Sequence, residues 1–178
     1  MSRVSPLKSL LLLFLALLSA SALAACGGKA SERRVAVLNG QGFSVSMPGN
    51  PTRKVGTVQT QVGPQQLTVY VSQFGSQAFA IGGGRLPAGA GFNLDGAVQG
   101  EVTKVQGILQ SVVTTSYQGF PARDARITAD SNGTPITIFE RTILAHGAYF
   151  NLQFLQQGAD VKAPPASYTT FLASLKIT

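Results

Sequence analysis

The stretch PITIFERTILAHGAYFNLQFLQ, residues 135–156, places two apolar runs on either side of a His-Gly pair. Residues 135–144 and 148–156 each have the length of a β-strand, and the pair at 146–147 has the composition of a tight turn. Large apolar side chains in the second run recur at every second position, which puts them on one face of a strand: Phe150, Leu152 and Phe154. The stretch therefore predicts an antiparallel β-hairpin.

Further strand patterns surround this hairpin. Apolar and polar residues alternate strictly from Phe43 to Met47, where Pro48 ends the run, and a second alternation follows at residues 66–73. Residues 82–91 contain five glycines and a proline, which predicts a loop. The remaining predicted strands are residues 77–82, 108–118 and 122–129, and the last of them runs into a turn at residues 130–133.

Two helices are predicted, one between the strands and one near the end of the chain. Asn93 is a suitable N-cap, and apolar residues recur at helical spacing from Leu94 to Val105, so a helix is expected to end at Gly107. A second helix opens at Pro164-Pro165, and its apolar face consists of Tyr168, Phe171, Leu172 and Leu175. Three strands, a helix, about four strands and a helix are typical of an α+β fold, a mainly antiparallel sheet with two helices packed on it.

The first 25 residues have the organisation of a bacterial export signal. Two basic residues precede Leu10–Leu18, an apolar run too short to cross a bilayer, which takes about 20 residues. The following Leu23-Ala24-Ala25-Cys26 resembles the lipobox of bacterial lipoproteins. That resemblance implies removal of residues 1–25 as a lipoprotein signal peptide and lipidation of Cys26, the only cysteine of the chain. Stable anchoring takes two or more acyl chains, which a lipidated cysteine carries.

The residues after the lipobox indicate how the anchored protein is arranged. Residues 26–34 are small, polar or charged, and we expect them to form a short flexible tether for one domain at residues 35–178. Basic side chains of this tether would lie beside the bilayer, where each adds about 1 kcal/mol of attraction to an anionic surface. Gly27 stands where an aspartate favours inner-membrane retention in many Gram-negative bacteria. The resemblance therefore implies the cell envelope, at the outer membrane and facing the periplasm.

An ordinary secretory signal is the alternative for this end of the chain. Ala22-Leu23-Ala24 matches the small-x-small pattern of such cleavage sites. Cleavage there would leave Cys26 as an unpaired thiol in an oxidising compartment. Use of the thiol as a lipid anchor explains the single cysteine, and this is the interpretation we adopt.

The charge distribution argues against nucleic-acid binding. The whole chain carries a net charge of +7, but from Val35 onward nine basic and six acidic residues leave only +3. The basic residues are dispersed, and no aromatic residues are interleaved with a basic stripe, as a nucleic-acid surface requires. We therefore expect no nucleic-acid partner.

Three local patterns resemble the PsbP-like α+β sandwich and the bacterial envelope lipoproteins that share it. These are Phe43–Pro48 followed by Gly49 and Pro51, the segment Gly119–Asp124 (GFPARD), and the ending Phe171–Ile177 (FLASLKI). Proteins of this family are mostly assembly or binding proteins. The resemblance implies a PsbP-like domain at residues 35–178 and no enzymatic activity.

Catalytic, metal and cofactor sites are not predicted. His146 is the only histidine and falls in the predicted turn, and no Gly-x-Ser-x-Gly segment supplies an activated serine. With one histidine and no free thiol, zinc lacks its usual ligands. Gly82–Arg85 lacks the Gly-Lys-Ser/Thr ending of a phosphate-binding loop, so its glycines are expected to let the chain turn.

The densest charge cluster consists of Arg123, Asp124 and Arg126. In a strand, Asp124 and Arg126 point to the same face, two residues apart. Two interpretations are open: a solvated ion pair of little consequence for stability, or a recognition patch beside the Gly119–Pro121 link.

Two functions of different class remain. The first is a membrane-anchored, non-enzymatic envelope lipoprotein that binds a protein partner or supports an envelope assembly. The alternative is a small-ligand-binding lipoprotein with a pocket between sheet and helix, lined by Tyr70, Phe79 or Tyr149. A filled core with an exposed apolar patch favours a partner, whereas a pocket of at least about 300 Å³ with converging polar groups favours a ligand. A catalytic role for His146 would require its burial beside a carboxylate or hydroxyl.

Overall fold

The computed structural model describes residues 35–60, 63–158 and 161–178. The predicted signal peptide and tether, including Cys26, lie outside the described residues. Within the described ranges the chain forms two antiparallel sheets and two helices. The α+β class predicted from the sequence is confirmed.

Five strands precede the first helix. They are β1 (Val35–Gly40), β2 (Phe43–Pro48), β3 (Thr52–Thr60), β4 (Gly63–Phe74) and β5 (Gln77–Arg85). Helix α1 (Leu94–Lys104) is followed by β6 (Ile108–Tyr117), β7 (Phe120–Ser131), β8 (Thr134–Ala145) and β9 (Ala148–Gln157). Helix α2 (Ala166–Ala173) and the short β10 (Lys176–Ile177) complete the fold. The large sheet has the order β3-β4-β5-β9-β8-β7-β6, and the small sheet has the order β1-β2-β10.

The hairpin predicted at residues 135–156 is formed by β8 and β9. Ala145 pairs with Ala148, so the loop between them has two residues. Both loop residues have positive φ, 49° at His146 and 68° at Gly147, as a two-residue hairpin turn of type I′ requires. The predicted hairpin is therefore confirmed, and it lies in the middle of the large sheet.

One face of the large sheet is covered by α2 and the small sheet. Because successive residues of a strand point to opposite faces, every second residue of β5, β8 and β9 enters this core. Its aromatic centre is Phe79, whose ring centroid lies 5.0 Å from that of Phe154 and 5.6 Å from that of Phe171. All three side chains are buried. Burial of one such side chain contributes about 1.5–3 kcal/mol, so this face supplies much of the stability.

The opposite face of the large sheet is covered by α1. Buried residues here include Ala78, Ile127, Ile138 and Leu155, against which Val105 packs. The two helices thus lie on opposite faces of one sheet. Neither helix of the described chain is both long and apolar enough to span a bilayer.

Three strands were not predicted. In β1 the outward-facing Val35 and Val37 are exposed, so its alternation does not mark a buried face. The sequence of β3 contains Arg53, Lys54 and Gly56, which obscure the strand pattern; it forms because its backbone pairs with β4 along nine residues. Strand β10 has only two residues and exists through its pairing with β2.

The predicted glycine-rich loop is partly wrong. Gly82, Gly83 and Gly84 lie in β5 and pair with β9. Gly82 and Gly83 also pair with β4, on the other side of β5. A Cβ atom on Gly83 would lie 2.8 Å from the carbonyl oxygen of Tyr149, so the glycine permits close strand packing rather than a turn.

Both predicted helices are shorter than expected. The first ends at Lys104 rather than Gly107, because Gln106 takes a positive φ of 50° and the chain turns into β6. The second ends at Ala173, and Leu175 beyond it is buried by the turn into β10.

Candidate functional site

Helix α1 presents a stripe to the sheet that includes a charged residue. Asn93 caps the helix, and its Oδ1 accepts hydrogen bonds from the backbone N–H of Asp95 at 2.9 Å and of Gly96 at 3.1 Å. The inward positions recur at spacings of three and four residues: Leu94, Val98, Glu101 and Val105. Glu101 is therefore directed at the sheet by the periodicity that buries its apolar neighbours.

Three ionisable side chains meet beneath this helix. The Lys104 Nζ donates to both carboxylate oxygens of Glu101, at 3.2 Å each, and the Lys104 side chain is only 2% exposed. Glu140 of β8 lies on the same face of the sheet and is also 2% exposed. Its Oε1 accepts from the Thr142 hydroxyl at 2.8 Å, and its Oε2 accepts from the Gln153 amide at 3.0 Å. Each buried carboxylate therefore has hydrogen-bond donors, as burial of a charge demands.

Burial changes the proton affinity of this cluster. Burial and, to a smaller extent, the negative charge of Glu101 together raise the pKa of Glu140 to about 7, against the opposing effect of the hydrogen bonds from Thr142 and Gln153. Burial also lowers the pKa of Lys104, against the opposing effect of the Glu101 charge and hydrogen bond. The cluster can therefore take up or release a proton close to neutral pH.

This cluster can hold charge and exchange protons. Its two carboxylates, Glu101 and Glu140, share the space with the cationic Lys104, and no group of three acidic, histidine or cysteine side chains suited to a metal occurs in the described ranges. A structural role, fixing α1 on the sheet with a proton-dependent strength, accounts for the arrangement.

The sequence interpretation missed this cluster, although one signal for it is present. Glu101 falls three residues after Val98 and four before Val105, on the apolar stripe of the predicted helix. Glu140 likewise continues the alternation of Ile136 and Ile138 in β8. A charged residue on a periodic apolar face indicates a buried polar site, but its partner could not be identified without the packing of α1 on β8.

The structure divides the predicted patch of Arg123, Asp124 and Arg126 between two faces of β7. Arg123 faces α1, where its Nε and Nη2 donate to the Asp95 carboxylate at 2.6 and 3.1 Å. This hydrogen bond lowers the pKa of Asp95 and raises that of Arg123. Arg123 thereby ties the first turn of α1 to the sheet.

Asp124 and Arg126 share the opposite face, as strand alternation predicts. The predicted ion pair between them is replaced by another: Asp124 accepts from Nε and Nη2 of Arg141 on the neighbouring strand, both at 2.6 Å. The Arg141 guanidinium also lies 5.5 Å from the centre of the Tyr117 ring. Arg126 donates to the backbone carbonyl of Val161 at 3.3 Å. All three residues of the patch thus have contacts within the fold, and their role in recognition stays a prediction.

The residues considered for catalysis and for a pocket are dispersed. His146 is exposed at its turn and packs against Phe120, with ring centroids 4.7 Å apart. Phe79 is 0% exposed inside the α2-side core, and Tyr70 packs at the margin of that core. Tyr149 points to the other face, where its ring stacks on Phe92 at 5.1 Å and burial raises its pKa to about 12. Tyr70, Phe79 and Tyr149 therefore do not converge on one cavity.

An exposed apolar surface occurs along strand β6. This strand is the last in the large sheet, and seven of its ten residues are exposed. Three of them are large and apolar: Ile108, Val112 and Val113, with 66%, 44% and 57% exposure. Such a surface at an open sheet edge is typical of a binding site for another polypeptide.

The comparisons with known proteins concern the fold. No family model matches the chain, and no curated protein matches it. The solution structure of cyanobacterial PsbP (CyanoP) from Synechocystis sp. PCC 6803 is similar with a TM-score of 0.51, at 12% identity, covering 88% of this chain and 99% of that one. A Pseudomonas aeruginosa protein of unknown function, PA94, is less similar, with a TM-score of 0.40 and 13% identity over 68% of this chain and 82% of that one. The chain thus has the PsbP-like α+β fold that its three local patterns predicted.

Proposed function

We propose that the chain is a lipid-anchored, non-enzymatic protein of the bacterial envelope whose PsbP-like domain binds a protein partner. The binding role is supported by the difference between the filled core on the α2 side of the sheet and the exposed edge strand β6. Phe79, Phe154 and Phe171 fill the space between α2 and the sheet, whereas Val112 and Val113 are left exposed on β6. This combination favours a partner over a small ligand.

The anchor is the second part of the proposal. The lipobox Leu23–Cys26 supports acylation of the Cys26 thiol, and residues 27–34 would span at most about 28 Å at 3.3–3.6 Å per residue. An anchored domain on so short a tether would bind its partners close to the membrane surface. We place this surface at the outer membrane, facing the periplasm, because Gly27 rather than aspartate follows the cysteine.

Lipidation is tested in a Gram-negative host that expresses the full chain. We expect the purified protein to start at Cys26, to carry the mass of its acyl chains and to sediment with membranes. Cys26→Ser should abolish all three properties, whereas Ala25→Ser, which keeps a small residue in the lipobox, should preserve them. An unmodified wild-type protein recovered from the soluble periplasmic fraction would overturn the anchor. Recovery of wild-type protein from inner-membrane fractions of a density gradient would overturn only the outer-membrane location.

A further inference from the structure

Strand β6 is an unprotected edge. It pairs with β7 on one side and, within the described structure, with no strand on the other. Every second residue of an edge strand points its backbone N–H and C=O outward, which is a template for another strand. The sequence of β6, ILQSVVTTSY, contains no charged residue and no proline. Charged side chains, proline and bulges are the usual devices that keep an edge from pairing.

The only such device in β6 lies near its beginning. The register with β7 shifts between Leu109 and Ser111, so a bulge occupies this end of the strand. From Ser111 to Tyr117 the pairing is regular. The far end is held in place by the Tyr117 hydroxyl, whose oxygen lies 2.7 Å from the Leu172 carbonyl and 2.8 Å from that of Leu175. A straight, uncharged and firmly positioned segment is therefore available for pairing.

Two charged residues of β7 lie opposite Val113 and Thr114, and each forms an ion pair within the fold. On the α1 side of β7, Arg123 is paired with Asp95, and on the α2 side Asp124 is paired with Arg141. At Val113 and Thr114, a strand that approaches β6 thus meets no charge that lacks a partner. Charge complementarity at this point favours an uncharged strand, because a lone charge placed there would lose hydration without gaining a partner. The exposed β-branched side chains of β6 favour a strand that is rich in β-branched residues as well.

We propose that this occupant is β6 of a second copy of the chain, paired antiparallel about a two-fold axis close to Val113. This inference rests on the proposed function: it identifies the protein partner that would bind the exposed surface of β6. Opposed residues of an antiparallel pair share a face, so Val113 would meet its own copy and Val112 would meet Thr114. Pairs of β-branched side chains stabilise such ladders, and no like charges are opposed. The two large sheets would then join into one sheet with an isologous interface.

The size of the contact predicts a reversible dimer. A ten-residue strand extends for about 33 Å at about 3.3 Å per residue, and a single strand pair buries less than the roughly 800 Å² per partner of a standard interface. We expect micromolar dissociation, with pairing strengthened when both copies are confined to one membrane surface.

The test uses analytical ultracentrifugation of the full mature chain in detergent micelles. Wild type should show a concentration-dependent monomer–dimer equilibrium, and Val113→Lys and Val113→Glu should each weaken it at least tenfold, because like charges then oppose each other at the axis. An equimolar mixture of the two variants should restore the dimer through Lys–Glu pairs. Unchanged association of both single variants, or failure of the mixture to associate, would overturn the proposal.

Two controls separate loss of pairing from loss of folding. Val55→Lys introduces the same change at an exposed valine of β3, the other edge of the sheet, and should leave the dimer intact. Because Val113 is exposed, thermal unfolding of Val113→Lys should match that of wild type. Val113→Glu should unfold at a slightly lower temperature, since its carboxylate lies opposite Asp124.

Crosslinking in intact cells distinguishes this inference from the broader proposal. A photoreactive amino acid at position 113 should give a product of twice the mass of the chain. A product with a different protein would overturn the second copy as occupant while supporting partner binding. The absence of any product from position 113 would overturn both.

Discussion

The two faces of the large sheet hold their helices by different interactions. On one face α2 buries aromatic rings, with Phe171 packed edge-on against Phe79 and beside Tyr168. On the other face α1 buries Glu101 and Lys104 against Glu140. The aromatic face depends on the removal of apolar surface from water, which does not vary with pH. The charged face also has apolar packing around Ile127 and Val105, but Glu140 exchanges a proton near neutral pH, so part of the attachment of α1 depends on pH.

Phe171→Ala is expected to have the largest effect, because it removes a buried ring from the centre of the aromatic face. The free energy of unfolding, measured by urea denaturation, should fall by about 3–5 kcal/mol. Thr169→Ala, at an exposed position of the same helix, should change it by less than about 0.5 kcal/mol. The loss in Phe171→Ala should be equal at pH 5 and pH 8, and a loss that differs between them would contradict the separation of the two faces.

Glu140→Gln tests the charged face. Since the pKa of Glu140 is raised from its ordinary value of 4.5 to about 7, the folded chain keeps a proton that the unfolded chain releases. The stabilisation that this proton gives the folded chain is complete below pH 4.5 and is lost as the pH rises to about 7. The free energy of unfolding should fall by about 1–3 kcal/mol over this interval. The variant has no proton to lose at this position, so its stability should decline less over the same interval.

Urea denaturation at several pH values between 4 and 8 measures this difference. Asp130→Asn is the matched control, because it neutralises an exposed carboxylate while keeping the oxygen that accepts from the Gly133 N–H. It should retain the wild-type decline. Identical pH profiles for wild type and Glu140→Gln would show that Glu140 is not protonated near neutral pH.

Asn93→Ala should have the smallest effect, at the start of α1. It removes the oxygen that accepts from two backbone N–H groups, and we expect a loss of about 1 kcal/mol. Asn93→Asp keeps an acceptor and should restore most of the stability. The comparison with α2 is informative because Pro165 caps that helix without a side-chain hydrogen bond. There, buried aromatic side chains hold the helix without a side-chain cap, whereas the apolar stripe of α1 is interrupted by Glu101 and the helix has a cap in addition. Thermal unfolding of both variants measures the contribution of the cap.

The parts of the fold that bury one regular face were predictable from the sequence. The 135–156 hairpin, the Asn93 cap and the α+β class follow from local periodicity and turn chemistry. Strands β1 and β3 were missed because they lie at sheet edges, where exposed valines and charged residues replace a buried face. Their positions are determined by the neighbouring strand rather than by their own pattern.

The candidate site was less predictable, because its parts come from distant segments. The pairing of Asp124 with Arg141 depends on the register of two strands, which the sequence pattern does not specify to the residue. The proximity of Glu101 to Glu140 requires the packing of a helix on a particular strand. The sequence suggests an ion pair between the neighbours Asp124 and Arg126. In the fold, Asp124 pairs instead with Arg141 on the adjacent strand.

The hydrogen bonds around Ser174 join the two ends of the described chain. The Ser46 N–H donates to the Ser174 hydroxyl at 2.9 Å across a sequence separation of 128 residues, and the N–H of Thr178 donates to the Gly42 carbonyl at 3.0 Å. Strand β2 therefore gains its second neighbour only after Lys176 and Ile177 have been made. Such non-local closure slows folding. The small sheet of a growing polypeptide would thus stay incomplete until the segment from Ser174 to Thr178 is free to pair with β2.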